Sequence, residues 1–156
     1  MIDGLKRKTR IALTGLGLLL AASVAAAADG MIIVKSPHSA AETASRLVSA
    51  LPERGLKLIA RVDHAANAAS IGKSLRPNEV LIFGNPQGGT PLMECQPSAG
   101  IDLPLKALVW QDAAGAVWLG YNDPAWLAAR HGAGDCPAVA NLGKALGSLA
   151  TAVVAP

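Results

Sequence analysis

The stretch "FGNPQGGTPLMEC", Phe83 to Cys95, carries a Gly-Gly pair, two prolines and then Met93, Glu94 and Cys95 in succession. Three chemistries could use it: a loop whose backbone N–H groups cradle phosphate, a soft-metal site, or a plain turn between a strand and a helix. Spacing removes the nucleotide loops. A P-loop needs lysine and then Ser or Thr after its glycines, and the dinucleotide fingerprint needs G-x-G-x-x-G ahead of a long helix. Gly84, Gly88 and Gly89 fit neither. A helix start can still hold an anion through its free N–H groups, which makes Asn85, Thr90 and Met93 candidates for contact with a small ligand.

A metal is harder to assemble. Consecutive helical side chains fan about 100° apart, so Met93, Glu94 and Cys95 cannot converge on one ion. Met93 or Cys95 would need His64 or His131 from elsewhere, a donor set that suits copper or haem iron. No HxxxH or CxxC spacing supports it. His64, beside Asp63 at a helix start, stands out because capping does not need an imidazole. His131, at a helix end, also complements the helix dipole, and His38 reads as a solvated loop residue. An enzyme would take His64 as base with Cys95 as nucleophile, or Glu94 and Asp102 as paired acids. Nothing local orients a third member, and Asp102 in "IDLP" also reads as a turn cap before Pro104, one of the ligand-contact candidates.

Cys95 and Cys136 are the only two cysteines. In an oxidising compartment an even pair invites a disulfide. A bond across 41 residues would contribute about 4 kcal/mol on the chain-entropy relation. The alternative is a free Cys95 acting as ligand or nucleophile, with Cys136 buried. Sequence leaves both open.

The elements that must position these residues follow from periodicity. "GMIIVKS", "LKLIARV" and "VLIFG" read as strands, the last a central one because it is wholly apolar. "SAAE" has capping-box spacing ahead of a helix with Ala44, Leu47, Val48 and Leu51 on one face, stopped near Gly55. "DHAANAASIGKSL" predicts a helix over 63–75. Thr90 as N-cap with Pro91 at the first helical position predicts a helix start there. "LKALVW" and "AVWLGYN" flank "QDAAG" as a hairpin, and "DPAWLAARHG" is a capped helix. From Pro137, Val139, Leu142, Leu146, Leu149 and Val153 recur at three- and four-residue steps, an amphipathic C-terminal helix. Five strands with helices between them predict class α+β: a single sheet covered by helices.

The first 28 residues read as an export signal. Lys6, Arg7, Lys8 and Arg10 precede the uncharged run Ile11–Val24, and Ala25–Ala28 offer a signal-peptidase cut. An uncleaved anchor is the competing reading, since 11–28 approaches the length of a span. Cutting after Ala28 leaves 128 of the 156 residues, one domain spanning 29–156. Four of the 14 Lys and Arg and one of the 11 Asp and Glu precede residue 29. Ten of each remain, so the net charge of +3 resides in the leader. A neutral domain lacks the cationic surface that nucleic-acid binding or docking to an anionic membrane requires.

Four blocks occur in order: "DHAANA", "FGNPQGGTPLM", "DLPLKALVW" and "GAVWLGYNDPAWLAARHG". In combination they resemble the bacterial and archaeal family called domain of unknown function 302, over essentially the whole chain after Met31. The resemblance implies a small α+β domain with a sheet of about five strands. It implies no reaction or cofactor, and it assigns no role to Cys95 or Cys136. The sequence therefore predicts a periplasmic or secreted, non-enzymatic domain that binds a small molecule, an anion or a metal or haem near the 84–95 loop. A hydrolase or thiol-dependent enzyme and a structural envelope protein are the alternatives. The last would show a large exposed apolar patch and no pocket.

Overall fold

The computed structural model describes residues 28–156, and residues 1–27 of the stretch read as an export signal lie outside the described residues. Five strands, β1 (Met31–Ser36), β2 (Lys57–Asp63), β3 (Asn78–Gly84), β4 (Leu105–Gln111) and β5 (Val117–Asn122), form one sheet in the order β1-β5-β4-β3-β2. Every neighbouring pair is antiparallel. Five α-helices complete the domain: α1 (Ala40–Ala50), α2 (His64–Ser70), α3 (Pro86–Cys95), α4 (Pro124–Arg130) and α5 (Ala138–Val154). The architecture is α+β, as the strand and helix patterns predict.

Alternation along the strands sends one set of side chains into the core. Leu81 and Phe83 of β3, Ala107 and Val109 of β4, and Leu119 and Tyr121 of β5 are buried. They meet Leu47 of α1 and Leu146, Leu149 and Ala150 of α5. The five apolar positions read from the sequence of α5 include four buried ones, Leu142, Leu146, Leu149 and Val153. Its C-terminal carbonyls are met from α1 and the loop before it. Arg46 donates to Val153 O and Ala155 O, each at 2.8 Å, and His38 Nε2 lies 2.8 Å from Ala155 O. His38 is thus a partly buried anchor for the end of α5, where the sequence predicted a solvated side chain. Partnering those orphan carbonyls is what a helix C-terminus near the core requires.

Two helix boundaries differ from the sequence reading, and β3 begins two residues before Val80. α2 stops at Ser70 because Gly72 is left-handed (φ 70°) and Lys73 N donates back to Ala68 O, a glycine-terminated helix end. α3 begins a full turn earlier than Thr90. Asn85 caps it, Pro86 takes the first helical position, and Pro91 falls inside the helix. Asn85 outcompetes Thr90 because its side chain already accepts from Gly88 N, at 2.6 Å, beside a proline whose missing N–H is one of the orphan donors anyway. A 3-10 turn over Pro97–Ile101, absent from the sequence reading, follows α3.

The β4–β5 hairpin is organised by one carboxylate. Asp112 Oδ1 accepts from Ala114 N and Ala116 N at 2.9 Å, and Oδ2 accepts from the Trp118 indole at 2.8 Å. These donors, the indole foremost, hold the Asp112 carboxyl below the usual carboxylate range. A carboxyl depressed in the folded state contributes stability above its unfolded value, lost as pH falls through the folded value. In Asp112→Asn, stability measured by urea unfolding is therefore expected to fall less between pH ~5 and pH ~2 than in the parent. An identical acid limb would remove the assignment.

Gly30, at the entry to β1, has φ 75°, and a Cβ there would lie 2.2–2.5 Å from the Trp126 ring. Gly30→Ala forces both strain and overpacking and is expected to cost about 2 kcal/mol or more, with an unchanged denaturant m-value.

Candidate functional site

α3 is a ridge between two grooves. Positions 86, 89, 90 and 93 lie on one helical face, and 87 and 91 on another. The first face, with Thr90 and Met93, borders a groove of about 570 Å³ completed by Leu56 and Ile59 beside the sheet edge and by Leu103 and Pro104. The second borders a groove of about 530 Å³ against Asn141 and Ala145 of α5, with Arg54 at its rim. Asn85 lines both. Its Oδ1 caps α3, and its Nδ2 donates to Gly55 O at 2.9 Å, which pins the helix start to the turn that leads into β2.

Gly89 and Gly100 face the opposite walls at ordinary contact distance. A Cβ on Gly89 would lie 3.4 Å from Leu103, and one on Gly100 would lie 3.4 Å from Met93 Sδ. The segment after α3 therefore folds back onto the helix and forms the far wall. β2 supplies the near wall. Ile59 is the extra residue of a bulge, between the pairs Leu58–Phe83 and Ala60–Ile82. It stands 58% exposed, which leaves an apolar lip on the groove. Lys57 is the one charged residue among those lining this groove.

The sequence candidates do not all meet here. Asn85, Thr90 and Met93 line the groove. His64 does not: β2 pairs Lys57 with Gly84 and Asp63 with Glu79, so His64 lies beyond the opposite end of β2, about 20 Å away at ~3.4 Å per residue. Asp63 there caps α2 by accepting from Ala66 N at 2.9 Å. The expected pairing of His64 with Cys95 is corrected on two counts: the distance, and the fact that Cys95 is bonded to Cys136. The other enzyme pairing is also disposed otherwise. Glu94 is exposed on α3, whereas Asp102 is engaged with α4.

That engagement forms a second polar centre. Asp102 accepts from Arg130 Nη1 at 3.1 Å on both oxygens, and His131 Nε2 lies 2.7 Å from Asp102 Oδ2. His131 Nδ1 lies 3.0 Å from Ser98 Oγ. Of the four metal candidates, His64, Met93, Cys95 and His131, the first lies at the far end of β2 and the Cys95 sulfur is taken up by Cys136. Among the described residues no group of three or more His, Cys, Asp or Glu is placed to hold a metal ion. Sequence reasoning missed Lys57, Leu103 and Ser98, because their roles come from strand register and chain reversal. No local motif marks them.

Comparison with known proteins gives a family and leaves the reaction open. The profile of the family described as Domain of unknown function DUF302 matches residues 32–149. A protein named Fluoride-specific ion channel FluC 1 from Brucella suis biovar 1 (strain 1330) is 50% identical over 106 residues, which is 68% of this chain and 42% of that protein. Its namesake from Brucella abortus biovar 1 (strain 9-941) is likewise 50% identical over 106 residues, 39% of its length. The chain thus spans about two-fifths of the length of these curated relatives. Among solved structures, an uncharacterized conserved protein DUF302 from Bacillus stearothermophilus superposes with a TM-score of 0.74 at 21% identity, covering 81% of this chain and 99% of that one.

The Cys95–Cys136 bond (Cα–Cα 6.0 Å) ties the end of α3 to the loop before α5. A thiol titration of the denatured, unreduced protein is expected to find no free thiol. Replacing both cysteines by serine is expected to cost about 4 kcal/mol in urea unfolding. A measurable free thiol would overturn the bond.

Proposed function

The chain belongs to the DUF302 family, and we propose that it is a periplasmic or secreted binding domain for a small amphipathic anion. The observation that carries this reading is the groove beside α3, about 570 Å³, lined mainly by apolar side chains and glycine with Lys57 as its one charged residue. Its volume lies in the range of small-molecule sites, which combine apolar walls with few polar groups that fix orientation. A ligand with an apolar body against Met93, Leu103 and Ile59 and one anionic group at Lys57 matches that distribution. Thr90 supplies a hydroxyl on the same wall. Export is supported by the leader pattern of residues 1–28 and by the disulfide, a bond typical of oxidising compartments. Fluoride conduction, named for the Brucella proteins, is not carried over, because the match spans about two-fifths of those chains.

Decanoate is a suitable probe, titrated calorimetrically against the mature chain with decanol as its uncharged counterpart. One site per chain is expected, with decanoate preferred. Met93→Trp, which fills the groove, is expected to weaken binding at least tenfold. Lys57 is exposed, so Lys57→Gln is expected to cost only about two- to fivefold, and added salt to narrow that difference. Binding of decanoate that neither variant changes would sink the reading, as would no binding at all. For localisation, protein recovered from the periplasm or medium should begin near residue 29.

A further inference from the structure

The second polar centre has the order of a serine hydrolase: hydroxyl, imidazole, carboxylate. Ser98 lies in the 3-10 turn after α3, His131 caps the C-terminus of α4, and Asp102 ends the 3-10 turn. The chain of contacts is Ser98 Oγ to His131 Nδ1 at 3.0 Å, then His131 Nε2 to Asp102 Oδ2 at 2.7 Å. We propose that Ser98 is a base-activated nucleophile that takes the acyl group of carboxylic esters.

The proton positions follow from the partners. An ionised carboxylate can only accept a hydrogen bond, so the neutral ring carries its proton on Nε2, facing Asp102. Nδ1 then holds a lone pair, and the Ser98 hydroxyl is the donor between them. This is the tautomer a general base needs, and it is fixed by the group behind the ring. The ring nitrogens are exchanged relative to the usual triad, which leaves the proton transfer itself unchanged. Burial separates the roles further. The His131 side chain is 8% exposed and that of Asp102 16%, while Ser98 is exposed. The carboxylate–imidazole contact is therefore shielded, and the nucleophile is open to solvent. Arg130 donates to both oxygens of Asp102 and fixes the carboxylate plane.

The backbone holds the two halves of this centre together. Cys95 stands three residues before Ser98, Cys136 five residues after His131, and the two are bonded. The covalent link limits how far the 3-10 turn can move from the end of α4. Among the described residues Ser98 is the one serine whose hydroxyl contacts an imidazole.

The step balances without a co-reactant beyond water. Ser98 Oγ forms a bond to the ester carbonyl carbon as its proton passes to His131 Nδ1. The carbon–alkoxide bond breaks, and the alkoxide takes that proton. Water then adds to the acyl carbon with His131 Nδ1 as base, and Ser98 leaves with its hydroxyl restored. The net change is ester plus water to acid plus alcohol. Asp102 is a positioning residue, since it acts through His131.

A purely structural latch between the 3-10 turn and α4 would make the same contacts, so the test separates latch from base. The mature, oxidised chain is treated with a fluorophosphonate and, separately, with p-nitrophenyl acetate, and adducts are located by peptide mass spectrometry. Ser98 is expected to react about 100-fold faster than the other serines, the low end of general-base assistance. His131→Gln can keep both contacts, with its carbonyl accepting from Ser98 and its amide donating to Asp102, yet it has no titratable base. That variant is expected to hold its melting temperature within about 2 °C and to lose the 100-fold advantage. Ser98→Ala, at an exposed position, is expected to remain folded and carry no adduct there. Reaction at Ser98 no faster than at Ser148, an exposed serine of α5, would overturn the proposal, and so would an advantage that survives His131→Gln. Decanoate binding is independent of both variants, so failure here leaves the groove reading intact, and the reverse holds too.

Discussion

α3 is a helix that its own sequence does not support. Its ten residues include Gly88, Gly89 and an internal Pro91, which together disfavour it by about 5 kcal/mol against alanine. The helix exists because three external constraints act on it. Asn85 satisfies its first turn and reaches the Gly55 carbonyl. Leu92 is buried against the core. Cys95 bonds its last residue to the loop before α5. Each constraint joins α3 to a different part of the domain, and the placement of both grooves and of the Asp102 centre follows from that anchoring.

The unfavourable residues are also what make the site. A β-branched or bulky residue at Gly89 would press into Leu103, and one at Gly100 into Met93. Small residues let the chain double back on the helix, so that Leu103 and Pro104 face Met93 and Thr90 across open space.

Two centres with different chemistry share this segment. The groove is apolar with one cation at its mouth, suited to holding a ligand. The Ser98–His131–Asp102 chain is polar, tautomer-defined and open to solvent at one end. The 3-10 turn Pro97–Ile101 is common to both: Gly100 borders the groove and Ser98 the imidazole. The disulfide braces that turn from one side and α4 from the other, so a single covalent constraint bears on both.

Much of the scaffold was legible because it rests on short-range physics. Strand alternation, the Ser39 and Asp123 caps, and the three- and four-residue spacing from Leu142 to Val153 each express a local preference that the core reinforces. The family resemblance was legible for a related reason: its four blocks lie at strand ends and helix starts, where backbone geometry restricts residue type. The start of α3 differs from the sequence reading because Thr90–Pro91 and Asn85–Pro86 are both valid capping signals, and the bonds of Asn85 to Gly88 N and Gly55 O favour the second. His64 is a histidine beside a cap, Asp63. Antiparallel register then carried it to the far end of β2, since β2 and β3 run in opposite directions and sequence proximity to a strand end says nothing of which end of the sheet it shares. The class, the strands and most helices follow from local sequence alone, which leaves the cysteine pair as an open choice. The tertiary structure decided that Cys95 reaches Cys136, that Lys57 and Leu103 face one groove, and that Ser98, His131 and Asp102 adjoin. Contacts between residues tens of positions apart depend on how elements pack, and no local spacing encodes that.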